Sequence, residues 1–485
     1  MSASVSFSAI VRALGRLIMV EGAMMLLPLA VCIIYSEPDW KGFAVAALAA
    51  LAVALTAEHF TRTCRQPVHS REGFVITALI WVVFALFGII PFMLAAHPLT
   101  PCDAFFEVIS GLTTTGASVI TDVDAQSHGI LFWRAILQWI GGLGIILFML
   151  AVLPELNKGT GISMFQAEAT GIVHSKLHPR IRQTALSIWG VYSAITVGSV
   201  ALLWIGPMNL FDSICQSFAA VATGGFTTHN DGIAHWHSGY IYTVLTAVMF
   251  IAGLNFILLY NVVKKGVSSL LRNDVFRAFA LTVLAAYLLL LASALAAGRV
   301  NSVEEALTYP LFHVVSAITS TGFATPGAND WGPLPLLVTL ALMFFGACAG
   351  STAGGMKIDR ALVLHRNLVN QVRKTIFPRH TYVVRLGGVA LDRDLVSRIT
   401  AFATIYIGLL VAFTAIATAY GYPLTDSAFM ATSCLACNGL GYGATAVSFS
   451  ALPATLKFIL SLAMLIGRLE LFAYLVLFLP SFWRH

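Results

Sequence analysis

The sequence is poor in charge. Asp, Glu, Lys and Arg supply 10% of its 485 residues, against 58% hydrophobic residues and a mean hydropathy of +0.85. Soluble domains carry about 25% charged residues, so a water-facing globular surface of this size is excluded. Cysteine is sparse as well. The seven present show no regular spacing apart from Cys434-x-x-Cys437, which lies in an apolar stretch without a second pair. Neither a disulfide framework nor a structural zinc site is indicated. No glycine-rich phosphate-binding motif occurs, so no nucleotide site is expected in this chain, and no nucleic-acid partner either. No small-x-small cleavage site follows the first apolar run, which is therefore read as a membrane helix rather than a leader.

What the chain has instead is long apolar runs. Ten lie near 9–35, 43–61, 74–96, 130–153, 186–206, 240–262, 276–297, 334–356, 399–420 and 455–480. Each approaches the ~20 residues needed to cross a ~30 Å hydrocarbon core. The expected fold is an all-α polytopic membrane protein. An even number of spans puts both termini on one side. Connections on that side hold Arg62, Arg65, Arg71, Lys158, Lys176, Arg180, Arg182, Lys264, Lys265, Arg272, Arg277 and the basic stretch 357–398. The opposite side holds only Lys41, Arg134, Arg299 and Lys457. By the positive-inside rule both termini are expected in the cytoplasm. The outer connections carry Asp103, Glu107, Asp122, Asp124, Asp212, Asp231, Glu304, Glu305 and Asp426, an acidic mouth that would concentrate cations by steering.

Four outer connections each contain a moderately apolar stretch ending in a glycine turn: GLTTTGAS at 111–118, VATGGFTT at 221–228, AITSTGFAT at 317–325 and LACNGLGYG at 435–443. Such stretches are too short to span and read as re-entrant segments. Superposed on Gly116, Gly225, Gly322 and Gly439, three copies have an aspartate thirteen residues earlier (Asp103, Asp212, Asp426), and the third has Tyr309 with Glu304 and Glu305 upstream. Twenty-eight residues later all four have glycine: Gly144, Gly253, Gly350 and Gly467. The chain thus reads as four pseudo-fourfold span–pore-loop–span units at 67–158, 159–268, 269–372 and 373–485, around a central pore. Two extra N-terminal helices at 1–66 precede them. In each unit a short helix would start at the acidic residue, run halfway into the bilayer, and aim its negative dipole end inward, where a cation is favoured. The irregular return segment survives at that depth only where protein shields it or it lines an aqueous path. Four such turns would offer rings of carbonyl oxygens able to replace an ion's hydration shell. The GYG at 441–443 falls two residues after the aligned Gly439, in the exit segment.

With GACAGSTAGGMK at 346–357, GRLELF at 467–472 and SKLHPRIRQTA at 175–185, this arrangement resembles the Trk/Ktr/HKT superfamily of potassium transport proteins over the whole chain. Within it, the chain is most similar to the Trk potassium-uptake membrane subunits. The resemblance implies potassium binding by Thr114, Thr115 and Gly116; Thr223, Gly224 and Gly225; Ser320, Thr321 and Gly322; and Cys437, Asn438 and Gly439. It further implies a gate formed by the loop bearing Gly346, Gly350, Ser351, Thr352, Gly354 and Gly355, together with Arg468. Four glycines there weaken a helix by about 1 kcal/mol each, and an arginine deep in an apolar span is costly unless it faces a cavity or partner. The fourth turn departs from the family pattern. Asn-Asn before the glycine and Gly-Pro-Gly after it are replaced by Cys437-Asn438-Gly439-Leu440-Gly441, and losing proline frees one backbone angle.

The resemblance implies a homodimer in a bacterial inner membrane, with one pore per subunit and a soluble, cytoplasmic, nucleotide-binding regulatory subunit. The basic segments 357–398 and 154–185 are its expected docking surfaces, and membrane lipid headgroups would also attract them. Two alternatives differ in prediction. A sodium-permeable or sodium-coupled member of the superfamily would be favoured by serine at the first filter glycine, where Gly116 stands. A membrane-embedded enzyme needs converging catalytic groups, whereas His229 and His313 occupy unrelated repeat positions.

Overall fold

A computed structural model describes residues 6–62, 70–144, 181–298, 302–469, 477 and 479–483. The stretch 175–185 therefore lies mostly outside the described residues, as do Arg65, Lys158, Lys176, Arg180, Arg299, Glu470 and the first two unit boundaries near 66 and 158. The described residues are mostly helical. Among the described residues the sole β pairing is a short ladder of Arg385–Leu386 with Val389–Ala390.

Among the described residues six helices are long and apolar enough to cross a membrane unaided. They are Phe7–Ile34 (slightly broken at Met25), Trp40–Phe60, Arg71–Met93, Gln183–Ile205, Asp274–Ala296 and Arg393–Ala419. These are the two extra helices and the first span of each unit. Their outward faces carry large apolar side chains such as Leu48, Leu281 and Val411, as lipid requires.

The second spans differ from simple crossings. His128–Gly142, Pro333–Phe345 and Ala454–Arg468 all stop early. In the second unit Gly239–Ala252 and Phe256–Lys265 are bent by 98° at the Gly253-Leu254-Asn255 break. The sequence pointed to an interruption in the third unit alone. Left-handed glycines end two of these helices, Gly144 at φ 82° and Gly346 at φ 67°, while Asn255 restarts the bent one by accepting the Ile257 and Leu258 amides.

Four short helices fill the outer half: Pro101–Leu112, Leu210–Val221, Val303–Ile318 and Leu424–Leu435. Their caps are Thr100, Asn209 and Ser302, each accepting the amide of the third helical residue; Pro423 offers no side-chain cap. The aspartates expected at the starts of the short helices sit inside the first turn instead, at Asp103, Asp212 and Asp426. The third helix starts one turn further out, so Glu304 and Glu305 occupy its first turn.

Packing closes these elements into a ring. Pro101–Leu112 packs on both spans of its own unit and on Ala454–Arg468 of the fourth. Each later short helix likewise packs on its own two spans and on the second span of the unit before it. The two N-terminal helices lie outside this ring, against Ser70–Met93 and His128–Gly142. Ile358–Ile376 runs unbroken past residue 372, so the third and fourth units join inside a helix.

Candidate functional site

All four short helices end alike. The residue two before the aligned glycine is left-handed: Thr114, Thr223, Ser320 and Cys437 have φ of 54°, 51°, 51° and 50°. Its amide donates to the carbonyl three residues back, and the following amide reaches five back: Thr115 to Ser110, Gly224 to Ala219, Thr321 to Ser316 and Asn438 to Ser433, at 2.8, 2.8, 2.9 and 2.8 Å. This is the Schellman ending, which satisfies carbonyls the helix leaves open and ordinarily takes glycine at the left-handed place. A β-branched threonine there is a backbone outlier of the kind that persists at functional sites when its surroundings hold it. Gly116, Gly225, Gly322 and Gly439 follow at φ of 82°, 79°, 79° and 82°.

The turns form a closed cycle. A Cβ on Gly116 would collide with the Gly224 carbonyl oxygen, one on Gly225 with that of Thr321, one on Gly322 with that of Asn438, and one on Gly439 with that of Thr115. Each aligned glycine thus lets one turn approach the carbonyl of the next, in chain order, and the fourth returns to the first. All twelve residues read from the sequence as filter positions come together in this ring.

The outer acidic residues are not one open vestibule. Glu107 is 0% exposed and is ion-paired with Arg134, itself 2% exposed, at 2.8 Å. Asp103 accepts from Lys457 Nζ at 2.6 Å, so two of the four basic side chains expected on the outer side, Arg134 and Lys457, are structural. Asp212 accepts the Thr228 hydroxyl at 2.7 Å and faces His229 Nε2 at 3.2 Å, and Asp426 accepts the Ala444 amide. Asp122, Asp124, Asp231 and Glu304 remain exposed. The Asn230 side chain, followed by the Ala125 amide, holds the Asp122 carboxyl below the usual aspartate range.

On the inner side, residues 346–357 form a loop with a narrow neck. Met356 donates to the Phe344 carbonyl at 3.0 Å and Ile358 to that of Ala347 at 2.9 Å. Its tip meets the strained turn residues. Thr223 Oγ1 donates to Thr352 Oγ1 at 3.1 Å, the Gly354 amide donates to Ser320 Oγ, and a Cβ on Gly354 would strike the Ala436 carbonyl. Ser351 caps the loop internally through the Cys348 carbonyl at 2.6 Å. Arg468 spans the remaining side. Nη1 donates to the Thr352 carbonyl at 2.8 Å and to Thr114 Oγ1 at 3.2 Å, while Nη2 donates to the carbonyls of Gly142, at 2.7 Å, and Gly141. Those last two acceptors are end carbonyls of His128–Gly142, where a cation is favoured. Gly346, Gly350 and Gly355 hold φ of 67°, 78° and 78°, which the loop's reversals require.

Three contributors escaped the sequence reading. Lys357 lies buried at φ 74° with its ammonium on the Ala353 carbonyl, a second cation beneath the tip. Asn255 donates to the Ala349 carbonyl at 2.7 Å and, with the bonds Phe256 to Gly350 and Cys348 to Gly253, ties the loop to the bent span. Gln138 donates to the Gly224 carbonyl at 2.7 Å. Lys357 reads from the sequence as the start of the basic stretch 357–398, and the sole hint of Asn255 and Gln138 was a polar residue in an apolar run. The glycines at the common twenty-eight-residue offset serve different purposes. Gly467 packs on the Leu435 carbonyl, and the glycine making the matching contact on Leu112 is Gly141, not Gly144. GYG belongs to the exit turn, where Tyr442 packs against Phe429 with ring centres 5.0 Å apart. Cys434 and Cys437 are buried free thiols.

This architecture has known counterparts. The family profile named TrkH and described as "Cation transport protein" matches residues 41–484. The Trk system potassium uptake protein TrkH of Escherichia coli K12 is 35% identical, with 99% of each chain covered. The protein of the same name from Halomonas elongata is 34% identical over 99% of this chain and 100% of its own. The crystal structure of the potassium transporter TrkH from Vibrio parahaemolyticus superposes with a TM-score of 0.89 at 31% identity, covering 99% of this chain and 100% of that one. Ring closure, full-length similarity and structural agreement coincide: the chain belongs to the TrkH family of cation transport proteins, is a polytopic membrane protein, and is not an enzyme.

Proposed function

We propose that this protein takes up potassium through the ring of four turns, with the ion as cargo rather than resident cofactor. The observation that carries the reading is the closed cycle of glycine–carbonyl approaches among four turns of one backbone conformation. Carbonyl oxygens contributed by Thr114, Thr115, Gly116, Thr223, Gly224, Gly225, Ser320, Thr321, Gly322, Cys437, Asn438 and Gly439 replace the hydration shell. The four helix C-termini point their negative dipole ends at the space beneath the ring. An inward-negative potential contributes about 2.3 kcal/mol per charge per 100 mV.

The loop of Gly346, Gly350, Ser351, Thr352, Gly354 and Gly355 closes the inner face, and Arg468 holds it there. Passage requires Thr352, Gly354 and the Arg468 guanidinium to leave the turn residues they contact. The names of the relatives, potassium uptake proteins, support the choice of ion. The protein resides in the inner membrane of a bacterium with both termini cytoplasmic, on the positive-inside argument.

Control comes from a soluble nucleotide-binding subunit docked on the cytoplasmic face of a homodimer. In support, the basic helix Ile358–Ile376 follows the gate loop directly and exposes Leu368, Val372 and Ile376 at four-residue spacing. Lipid headgroups and this partner use the same basic surface. Potassium-limited growth of an uptake-deficient bacterium supplied with the regulatory subunit tests the proposal. Rescue together with rubidium flux in purified protein is expected; neither rescue nor flux overturns it.

A further inference from the structure

Behind the first two turns lies a polar cluster whose side chains supply no oxygen to the proposed filter and, among the described residues, make no hydrogen bond to the inner loop; Gln138 instead holds the Gly224 carbonyl from behind. Arg134 and Gln138 stand four residues apart on His128–Gly142 and share one face. Glu107 faces them from the first short helix. Both carboxylate oxygens are occupied: Arg134 Nε donates at 2.8 Å, the Ser118 hydroxyl at 3.0 and 3.1 Å, and the Val119 amide at 2.9 Å.

The guanidinium reaches further, into the second unit. Nη1 donates to the Thr227 carbonyl at 3.0 Å, Nη2 to Ser118 Oγ at 3.2 Å, and the charge lies 4.1 Å above the Phe226 ring. Gln138 adds a donor to the Gly224 carbonyl at 2.7 Å and an acceptor for the Phe226 amide at 3.3 Å. The amide donor from Phe226 fixes which way the Gln138 side chain is turned. Ser118 and Thr227 each stand two residues after an aligned glycine, and the Gly224 oxygen is the atom that Gly116 approaches.

A fully bonded buried ion pair is a weak source of stability, since apolar residues of similar volume often do as well. Register is its best-attested use. Counted from the aligned glycine, the positions equivalent to Glu107 on the other short helices are Gln216, His313 and Met430. Of the four short helices only the first has a carboxylate at this place, and it is ion-paired with a guanidinium.

We propose that Glu107, Arg134 and Gln138 are positioning residues that set the register between the first and second walls of the ring, and thereby its discrimination between monovalent cations of different radius. The proposal rests on the filter reading above. It requires the clamp to alter the ratio of ion fluxes more than the flux of the favoured ion, because the clamp touches backbone behind the ring and leaves the inner loop untouched.

The test is rubidium and sodium flux into proteoliposomes of the full chain. It compares the wild type with Gln138→Met, which keeps bulk but loses both hydrogen bonds, and Glu107→Gln, which keeps shape but loses charge. The sodium-to-rubidium flux ratio is expected to rise about tenfold, equivalent to ~1.4 kcal/mol, with rubidium flux changed less than the ratio. Gln138→Met decides the matter if Glu107→Gln fails to fold. An unchanged ratio in a folded Gln138→Met protein, with a discriminating wild type, overturns the clamp alone. A wild type that passes both ions equally overturns the filter reading and the clamp with it.

Discussion

The twelve turn residues divide into two kinds of constraint. Thr114, Thr223, Ser320 and Cys437 adopt a left-handed backbone that glycine would take at less cost. Their side chains explain the choice for the first three: Thr114 accepts from Arg468, Thr223 donates to Thr352, and Ser320 accepts from Gly354. The aligned glycines are constrained by contact instead. Gly225→Ala would combine a strained φ, worth about 1–2 kcal/mol, with a collision on the Thr321 carbonyl. Rubidium flux should fall and its preference over sodium should vanish, measured in proteoliposomes. Arg468→Ala should raise basal flux, because the guanidinium is the donor joining Thr352 to Thr114 and Gly142. Arg468→Lys should behave nearly as Arg468→Ala, since one ammonium lacks the planar fork that spans both sides. Flux at or below wild type in both variants would contradict the barrier role.

Much of this residue-level picture was legible, and the exceptions are instructive. The register on Gly116, Gly225, Gly322 and Gly439 agrees with the backbone angles and the contact cycle. Setting GYG aside as exit-turn residues agrees with the packing of Tyr442 on Phe429. The glycines twenty-eight residues on supported the register through a coincidence, because Gly141 makes the contact corresponding to Gly467. Glu107 read as a vestibule carboxylate because its partner, Arg134, lies 27 positions away on another helix. A linear reading places a charge on a face of the membrane but does not pair it.

At the scale of elements, the short helices are positioned by their caps and the inner loop by its ties. Thr100→Ala, Asn209→Ala or Ser302→Ala should each cost about 1 kcal/mol of stability, read as a lower melting temperature with unchanged ion preference. A changed preference would mean that cap and turn are coupled. Asn255→Ala removes the side-chain bond to the Ala349 carbonyl and should raise basal flux. Deletion of 350–355 should leave the protein leaky, and a folded, tight deletion variant would remove the gate assignment. The four-unit plan was visible from the apolar runs. Outside the third unit the breaks in the second spans were not, because hydropathy continues through Gly253-Leu254-Asn255 and through 143–153. Only the density of glycine at 346–355 marked a break in advance.

At the scale of the molecule, ring closure turns four weak signals into one site. Each short helix leans on the second span of the preceding unit, so the walls are built by neighbours rather than by single units. Within that ring the Glu107–Arg134 pair is an asymmetric feature that a fourfold average would hide. The basic Ile358–Ile376 helix follows the loop directly, so a subunit docked on it, as proposed, would have a short mechanical path to Gly346–Gly355.

The central claim is that the contact cycle of four turns is the selective ion path. The measurement that tests it most directly is rubidium against sodium uptake in proteoliposomes lacking residues 350–355, so that the gate does not limit flux, with and without Gly322→Ala. The account predicts uptake that favours rubidium strongly in the first protein and loses that preference in the second. Uptake no greater than in empty vesicles, or a preference untouched by the glycine substitution, would contradict it.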